Sequence, residues 1–237
     1  MKKISVAILA IAMASLLLTV GCQGVVGSGN LVIKTYDYSN FTTVEAHQGF
    51  RVELTRSNDF SVEITIDDNL VEYLKIDKSG NTLILELQQN RFYTSSTLSA
   101  KVSMPDINKI DLSGGSRVNT TGFNLSHDLS LELSGGSRIE GDISAEDIDM
   151  DLSGGSRIDL VGSADTLNAD GSGGSHIDLG SFPVGDANIK ISGGGSGTID
   201  VSGTLDVDLS GGSRITYSGD PRIGDIDISG GSTIKKQ

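Results

Sequence analysis

The tripeptide Ser-Gly-Gly recurs seven times in the second half of this 237-residue chain. The copies lie 18 to 21 residues apart and begin at Ser113, Ser134, Ser153, Ser172, Ser192, Ser210 and Ser229. A period of this length indicates stacked repeats, because one such unit cannot bury its apolar face alone. The repeat therefore predicts a solenoid rather than one compact globule.

A short strand is predicted before each Ser-Gly-Gly. The residue directly before each serine is apolar except at Gly171, which leaves a thin spot in the core. The residue three positions before each serine is apolar in every repeat. The alternation predicts a half-buried strand with one outward residue between the two apolar ones. The fifth repeat has Lys190 at this outward position. The outward residues of the other six repeats are acidic: Asp111, Glu132, Asp151, Asp170, Asp208 and Asp227.

A second strand is predicted after each Ser-Gly-Gly, with a β-branched residue pointing inward, as stacked strands prefer. The predicted inward residues are Val118, Ile139, Ile158, Ile177, Ile199, Ile215 and Ile234. The residues before them should point outward, and they are Arg117, Arg138, Arg157, His176, Thr198, Arg214 and Thr233. The four arginines and the six acids together form the predicted binding surface.

The patterns predict an all-β chain in two parts. Residues 106–237 form a seven-repeat parallel β-solenoid, in which glycines make the corners because they reach positive φ without steric cost. Residues 31–105 alternate in the same way without the repeat and are predicted to be a β-rich N-terminal segment. Within that segment, 68–74 is predicted to form one or two helical turns.

The fifth repeat breaks the spacing. Seven steps separate Ser192 from Ile199, whereas five steps separate the corresponding residues of the other repeats. This predicts a bulged corner over residues 193–197, which we interpret as drift in a tolerant corner in preference to a ligand site.

The N-terminus is predicted to be a secretion signal over residues 1–21, with Lys2 and Lys3 ahead of an apolar run. The five residues 18–22 look like a bacterial lipobox that ends in Cys22, the one cysteine of the chain. We predict that Cys22 is lipidated and that residues 22–30 form a flexible tether. The protein would then be exported and lipid-anchored, at the outer membrane or a membrane that faces the periplasm. The alternative is an ordinary signal followed by a free cysteine.

The charge balance restricts the partners. Without residues 1–21 the chain has 16 basic and 31 acidic side chains, a net charge of −15. Such a surface repels nucleic acid, so no nucleic-acid partner is expected, whereas a cationic partner or divalent cations remain open. Trp is absent and aromatic residues make up 5% of the chain, which does not favour a conventional sugar-binding site.

Motifs for metal binding or catalysis are weak. The segment 154–159 resembles the Gly-Gly-x-Gly-x-Asp unit of calcium-binding β-rolls, but Arg157 replaces one glycine and those units recur about twice as often. Calcium needs six to eight oxygens around one ion, and a flat row of acids spreads them apart. We therefore expect no cofactor and at most weak surface association of calcium. No catalytic motif of the hydrolase, phosphate-loop or zinc-protease kind occurs.

The order of the motifs resembles a known family. The features that carry the resemblance are the lipobox, the segment beginning at residues 27–30, the strand at 50–54, the strand at 82–85 and residues 102–105 leading into serial Leu-Ser-Gly-Gly-Ser units. Together they resemble the bacterial family called putative auto-transporter adhesin, head GIN domain. The resemblance extends from about residue 30 to the C-terminus. It implies an exported, single-stranded, right-handed parallel β-helix and brings no catalytic residues.

We therefore expect a non-catalytic cell-envelope lipoprotein that acts in binding, adhesion or scaffolding, with a protein or glycan partner that the sequence does not identify. The alternative is a glycan-active solenoid lyase or hydrolase that uses the surface acids. The last repeat, ending at 234–237, has no evident capping element. Its unpaired backbone is expected either to support a homo-oligomer or to be protected by local folding and by its two lysines.

Overall fold

The computed structural model describes residues 24–89 and 91–237, which form β-strands and one short 3₁₀ helix. The predicted signal peptide of residues 1–21 and the predicted lipidation site at Cys22 lie outside the described residues. None of the described residues belongs to a helix with the length and apolar character of a membrane span.

The strands that precede the repeats contain the alternating segments found in the sequence. Their bounds are Gly24–Val26 (β1), Leu31–Tyr36 (β2), Thr43–Ala46 (β3), Arg51–Arg56 (β4), Ser61–Asp67 (β5), Leu74–Ser79 (β6), Thr82–Leu87 (β7), Phe92–Thr94 (β8) and Leu98–Met104 (β9). The predicted helical turns are a 3₁₀ helix at Asp68–Tyr73.

The strands of the repeats alternate between those that lead into a corner and those that leave it. Their bounds are Lys109–Leu112 (β10), Arg117–Asn124 (β11), Leu129–Leu133 (β12), Arg138–Ser144 (β13), Asp147–Leu152 (β14), Arg157–Gly171 (β15), His176–Ile191 (β16), Ser196–Val201 (β17), Thr204–Leu209 (β18), Arg214–Ser218 (β19), Arg222–Ile228 (β20) and Thr233–Lys236 (β21).

Two ladders of parallel strands, joined at the corners, form the solenoid. Strands that lead into a corner stack in the order β3, β10, β12, β14, β15, β16, β18 and β20. At the N-terminal end, β7 pairs parallel to β3 and β9 pairs parallel to β4. Strands that leave a corner stack in the order β4, β11, β13, β15, β16, β17, β19 and β21. The long strands β15 and β16 belong to both ladders. This stacking confirms the predicted all-β solenoid, and each pair of strands with its corner is called a rung below.

The corner contains a fourth residue that the tripeptide pattern leaves out. A serine follows the two glycines in six of the seven corners and turns inward, where it is at most 8% exposed. The hydroxyl of Ser137 donates to the carbonyl oxygen of Ser134 at 2.7 Å, and that of Ser156 donates to the carbonyl oxygen of Ser153 at 2.8 Å. These bonds satisfy a buried hydroxyl and brace the corner across its two glycines.

The solenoid begins earlier in the chain than the first Ser-Gly-Gly. Strands β3 and β4 pair in register with β10 and β11, so that Glu45 lies beside Asp111 and Arg51 beside Arg117. Residues 47–50 take the place of the corner in this rung. The sheet is therefore continuous across residue 105, where the sequence analysis divides the chain.

The bulged fifth corner is a wrong prediction. Ser196, and not Thr198, lies in the row of Arg157, His176 and Arg214, and Gly197, and not Ile199, lies between Ile177 and Ile215. The corner has the same length as its neighbours. The sequence indicates a longer corner because Gly195 and Gly197 replace the inward serine and the inward isoleucine, so the first inward β-branched residue, Ile199, comes two positions late.

The space left at Gly197 is filled from an adjacent rung, and the space at Gly195 is filled by Ile191, which precedes the same corner. A Cβ at Gly195 would lie 2.6 Å from Cγ2 of Ile191, and one at Gly197 would lie 2.9 Å from Cδ1 of Ile215. At Gly171, which the sequence marks as a thin spot, a Cβ would lie 3.4 Å from Cγ1 of Ile191. The core is thus continuous here, since large and small residues alternate between rungs.

The two ends of the solenoid differ. At the N-terminal end, β6 pairs antiparallel to β7, while β5 pairs antiparallel to both β9 and β2. This cap buries Leu70 and Ile76. At the C-terminal end, β20 and β21 each have a strand partner on one side, β18 and β19 respectively.

Candidate functional site

The predicted acidic residues form one row along the solenoid. The strand register aligns Asp111, Glu132, Asp151, Asp170, Lys190, Asp208 and Asp227, one from each successive rung. Glu45 extends the row at its N-terminal end. The sequence analysis missed Glu45 because its rung lacks Ser-Gly-Gly. The alternation Thr-Val-Glu-Ala over β3 is the signal that could have revealed it.

A shallow groove of about 670 Å³ follows this row. One side carries the acids from Asp111 to Asp208 with Lys190 among them, and the other side carries the first serines of the corners. The floor consists of Leu133, Leu152, Gly171 and Ile191. The groove exists because each rung places the same three positions, an acid, an apolar residue and a serine, at the same point of the corner.

The N-terminal part of the groove is partly neutralised. Nζ of Lys109 lies 2.7 Å from Oε2 of Glu132 and 3.8 Å from Oδ2 of Asp111. Burial raises the pKa of Asp111, and the neighbouring Glu132 adds to this effect while Lys109 opposes it. Burial is the largest influence on Lys109 and lowers its pKa, but the bond to Glu132 and the charges of Glu132, Asp111 and Glu45 together outweigh burial and raise the pKa of the amine.

The remainder of the groove carries free carboxylates. Within residues 24–89 and 91–237, no ion pair involves Asp151, Asp170 or Asp208. All three side chains are exposed. Adjacent rungs in a parallel sheet are ~4.8 Å apart, so Asp151 and Asp170 are about one such step apart, while Lys190 occupies the rung between Asp170 and Asp208. This stretch therefore presents concentrated negative charge over an apolar floor.

The arginines lie in a second row beyond the corner, outside the groove. Arg117, Arg138, Arg157 and Arg214 share this row with Arg51, His176, Ser196 and Thr233. None of the four is among the residues that line the groove in the described part of the chain. The structure therefore separates the two halves of the predicted binding surface.

Two of the arginines are paired with acids of the next outward row. Arg138 approaches Glu140 at 2.8 Å and Asp159 at 3.4 Å, while Arg157 approaches Asp159 at 3.5 Å and Asp178 at 3.6 Å. Each of these arginines thus bridges its own rung to the following one. Exposed pairs of this kind contribute ~0–1 kcal/mol each, but they neutralise this face, unlike the groove.

The three histidines occupy different settings. His127 is bonded to the carbonyl oxygen of Asp128 and to the carboxylate of Asp106, both at 2.9 Å, and these bonds raise the pKa of its imidazole. Burial lowers the pKa of His176, and the nearby Arg157 adds to that effect. Nδ1 of His47 lies 2.6 Å from the hydroxyl of Ser113 and joins the first corner to the second.

The acids of the row do not converge. Among the described residues, no group of three or more His, Cys, Asp or Glu side chains is placed to hold a metal ion. The physical reason lies in the register, because stacked strands point equivalent side chains in the same direction and not toward a common centre.

A family model described as "Putative auto-transporter adhesin, head GIN domain" matches residues 40–221 of the chain. No curated protein matches it. The match begins just before β3, the strand at which the structure places the first rung, and it spans most of the solenoid.

Three solved structures share this fold. A "putative adhesin" from Bacteroides fragilis has a TM-score of 0.84 and 20% identity, over 90% of this chain and 100% of its own. A "putative lipid binding protein" from Parabacteroides distasonis has a TM-score of 0.73 and 19% identity, over 91% and 100%. A "putative adhesin" from Parabacteroides merdae has a TM-score of 0.67 and 20% identity, over 90% and 99%. At these identities the likeness concerns the fold alone.

Proposed function

The chain belongs to the putative auto-transporter adhesin, head GIN domain family, and from this premise we propose that it is an exported, non-catalytic binding protein whose acidic groove holds a basic segment of a partner protein. The observation that carries the proposal is the contrast between the two charged rows. The arginines at 138 and 157 are paired with acids, whereas the carboxylates of Asp151, Asp170 and Asp208 are free and line a groove.

The dimensions of the groove favour an extended polypeptide. Four rung steps separate Glu132 from Asp208, which corresponds to roughly 19 Å at ~4.8 Å per step. An extended segment of about six residues spans that distance at ~3.3 Å per residue. Lysine or arginine side chains on such a segment would meet the carboxylates, and their aliphatic stems would lie along the groove.

The test uses a lysine-rich hexapeptide as the probe and measures its affinity by calorimetry. In the groove variant, Asp151→Asn, Asp170→Asn and Asp208→Asn are combined. The matched control combines Glu140→Gln, Asp159→Asn and Asp178→Asn, which removes the same charge from the arginine face. We expect the groove variant to weaken binding by about tenfold or more, because each lost charge pair contributes up to ~1 kcal/mol, and the control to change it little.

Two results would contradict the proposed groove. Equal weakening by both variants would mean that only net charge matters, and an unchanged affinity in the groove variant would show that the groove does not take part in binding.

Turnover of a polysaccharide that is lost in Asp151→Asn would instead support the glycan-active enzyme considered from the sequence. Affinity should also fall as salt is added, since exposed charges are screened over ~8 Å at physiological ionic strength.

The proposed attachment to the envelope is a lipid on Cys22. Palmitate labelling of the native protein, and loss of the label with Cys22→Ser or with globomycin, would support this anchor. The predicted flexible tether is ordered from Gly24 onward, because β1 pairs with β8 and the amide of Gly29 donates to Asp67. An unlabelled wild-type protein would exclude the anchor without affecting the proposed groove, because the groove is lined by residues between 111 and 210.

A further inference from the structure

The last rung leaves inward-facing apolar side chains exposed. In β18, Leu205, Val207 and Leu209 are at most 3% exposed. Their counterparts one rung later in β20, which are Ile223, Ile226 and Ile228, are 48%, 39% and 37% exposed. The side chains belong to the core columns, and only a further layer of structure could bury them.

Among the described residues, no strand pairs with the outer side of the backbone of the same rung. All residues of β20 are exposed, and β20 and β21 hydrogen-bond to one neighbouring strand each. Exposed strand edges of this kind are templates for pairing with another strand. The N-terminal end of the solenoid differs because antiparallel strands and the 3₁₀ helix cover it.

The two strands of this rung differ in charge on their outward faces. Asp225 and Asp227 point outward on β20, which begins with Arg222, and Lys235 points outward on β21. Lys236 points to the other side of β21 and pairs with Asp220. A surface with an acidic strand beside a basic strand is complementary to itself when it is turned over. A two-fold axis through the corner lays β20 of one copy against β21 of the other. These strands are then antiparallel, because β20 runs toward the corner and β21 away from it.

We propose that the C-terminal rung is the interface of a homodimer, in which β20 of each copy pairs with β21 of the other. Opposite residues of an antiparallel pair point to the same side. The apolar faces therefore align only in registers that place Lys235 of one copy opposite Asp225 or Asp227 of the other. The isoleucines of both rungs become buried, and the two-fold symmetry closes the assembly at two copies.

The test measures oligomeric state by sedimentation velocity over a wide range of protein concentration. Wild type is expected to form a dimer. Lys235→Glu and the pair Asp225→Lys with Asp227→Lys should each raise the dimer dissociation constant by about tenfold or more, because like charges then face each other at both ends of the symmetric interface. Combining all three substitutions should restore the dimer, since the charges are again complementary.

Lys34→Glu provides the matched control, because Lys34 is exposed on β2 at the opposite end of the solenoid. It should leave the dimer unchanged. A wild-type monomer at every concentration would overturn the proposal. Open-ended assemblies that Lys34→Glu abolishes would also overturn the proposal. They would indicate head-to-tail stacking, in which the C-terminal rung of one copy contacts the N-terminal end of the next. Ile226→Asp, at a position already exposed in the monomer, should also dissociate the dimer without unfolding the chain, which circular dichroism would check.

Discussion

At the scale of the residue, the two glycines of each corner have different roles. The first glycine has a positive φ in all seven corners, between 63° and 92°, whereas the second has one in only three. A Cβ on Gly173, a first glycine, would lie 2.7 Å from the carbonyl oxygen of Gly154. A Cβ on Gly174 would lie 3.7 Å from that atom, an ordinary contact. The first glycine is thus required both by its φ and by the close approach of the rungs.

This difference predicts opposite outcomes for two neighbouring substitutions. Gly173→Ala should lower the free energy of unfolding by about 1–3 kcal/mol, since it forces a left-handed conformation on alanine and pushes its Cβ against backbone. Gly174→Ala in the same corner should change it by about 0.5 kcal/mol or less. Denaturant unfolding of both variants measures the difference. Equal destabilisation would contradict the distinction between the two positions.

The histidines give residue-level predictions for pH. Bonds to Asp128 and Asp106 raise the pKa of His127 in the folded state above its ordinary value. Its stabilisation is therefore fully present below the ordinary histidine pKa of ~6.5 and is lost as the pH rises through the folded-state pKa. His127→Gln should destabilise the protein more at pH 5 than at pH 8.5, as measured by unfolding at both pH values.

His176 serves as a contrasting control because burial lowers its pKa in the folded state. The unfolded chain then binds the proton more readily, so stability is lost as the pH falls through ~6.5 toward the lower folded-state pKa. His176→Ser, which copies Ser196 of the next rung, should reduce this loss of stability in acid. If His127→Gln and His176→Ser showed the same pH trend, the assignment of the two environments would be wrong.

At the scale of the element, adjacent rungs compensate for each other in volume. Gly197 lies in register between Ile177 and Ile215, and Cδ1 of Ile215 occupies the space that a side chain at 197 would need. The rung with the smallest inward residues is therefore packed by its neighbours. This is why an apparent irregularity of the sequence produces no bulge in the strand ladder.

The compensation can be measured with a double-mutant cycle. Gly197→Ala alone should destabilise the protein, and Ile215→Val alone should cost about 0.5–1.5 kcal/mol. Combined, they should cost less than the sum by about 0.5–1 kcal/mol, because removing Cδ1 makes room for the new methyl group. Gly197→Ala with Ile139→Val, which lies several rungs away, should be additive. Additivity in both pairs would refute the inferred packing.

At the scale of the whole molecule, one geometric rule produces both the core and the charged rows. In-register parallel stacking places every residue beside its counterpart one rung away, so apolar columns bury one another and acids accumulate along a line. The net charge of −13 is therefore not spread evenly but includes a concentrated row along the groove. The same rule leaves the rung of β20 and β21 with a neighbouring rung on one side among the described residues.

Much of this architecture could be predicted from the sequence because the information is local and repeated. The alternation before Asp111 and its counterparts gives the inward and outward faces, and the period of 18 to 21 residues gives the stacking. The acidic row and the arginine row follow from aligning the repeats, since equivalent positions in a solenoid become neighbours in space. The family was identified by a resemblance in the order of the motifs along the chain.

The tertiary structure decided the features that depend on contacts between rungs, at positions where a rung departs from the repeat pattern. It placed β3 and β4 within the ladder, put Gly197 and not Ile199 in the column of Ile177 and Ile215, and showed that Arg138 and Arg157 pair with acids outside the groove. Packing volume and ion pairing depend on which side chains meet across rungs, and a pattern within one rung does not contain that information. The Ser-Gly-Gly repeat therefore determined the fold, whereas the contacts between rungs decided where the free charge and the unpaired edge lie.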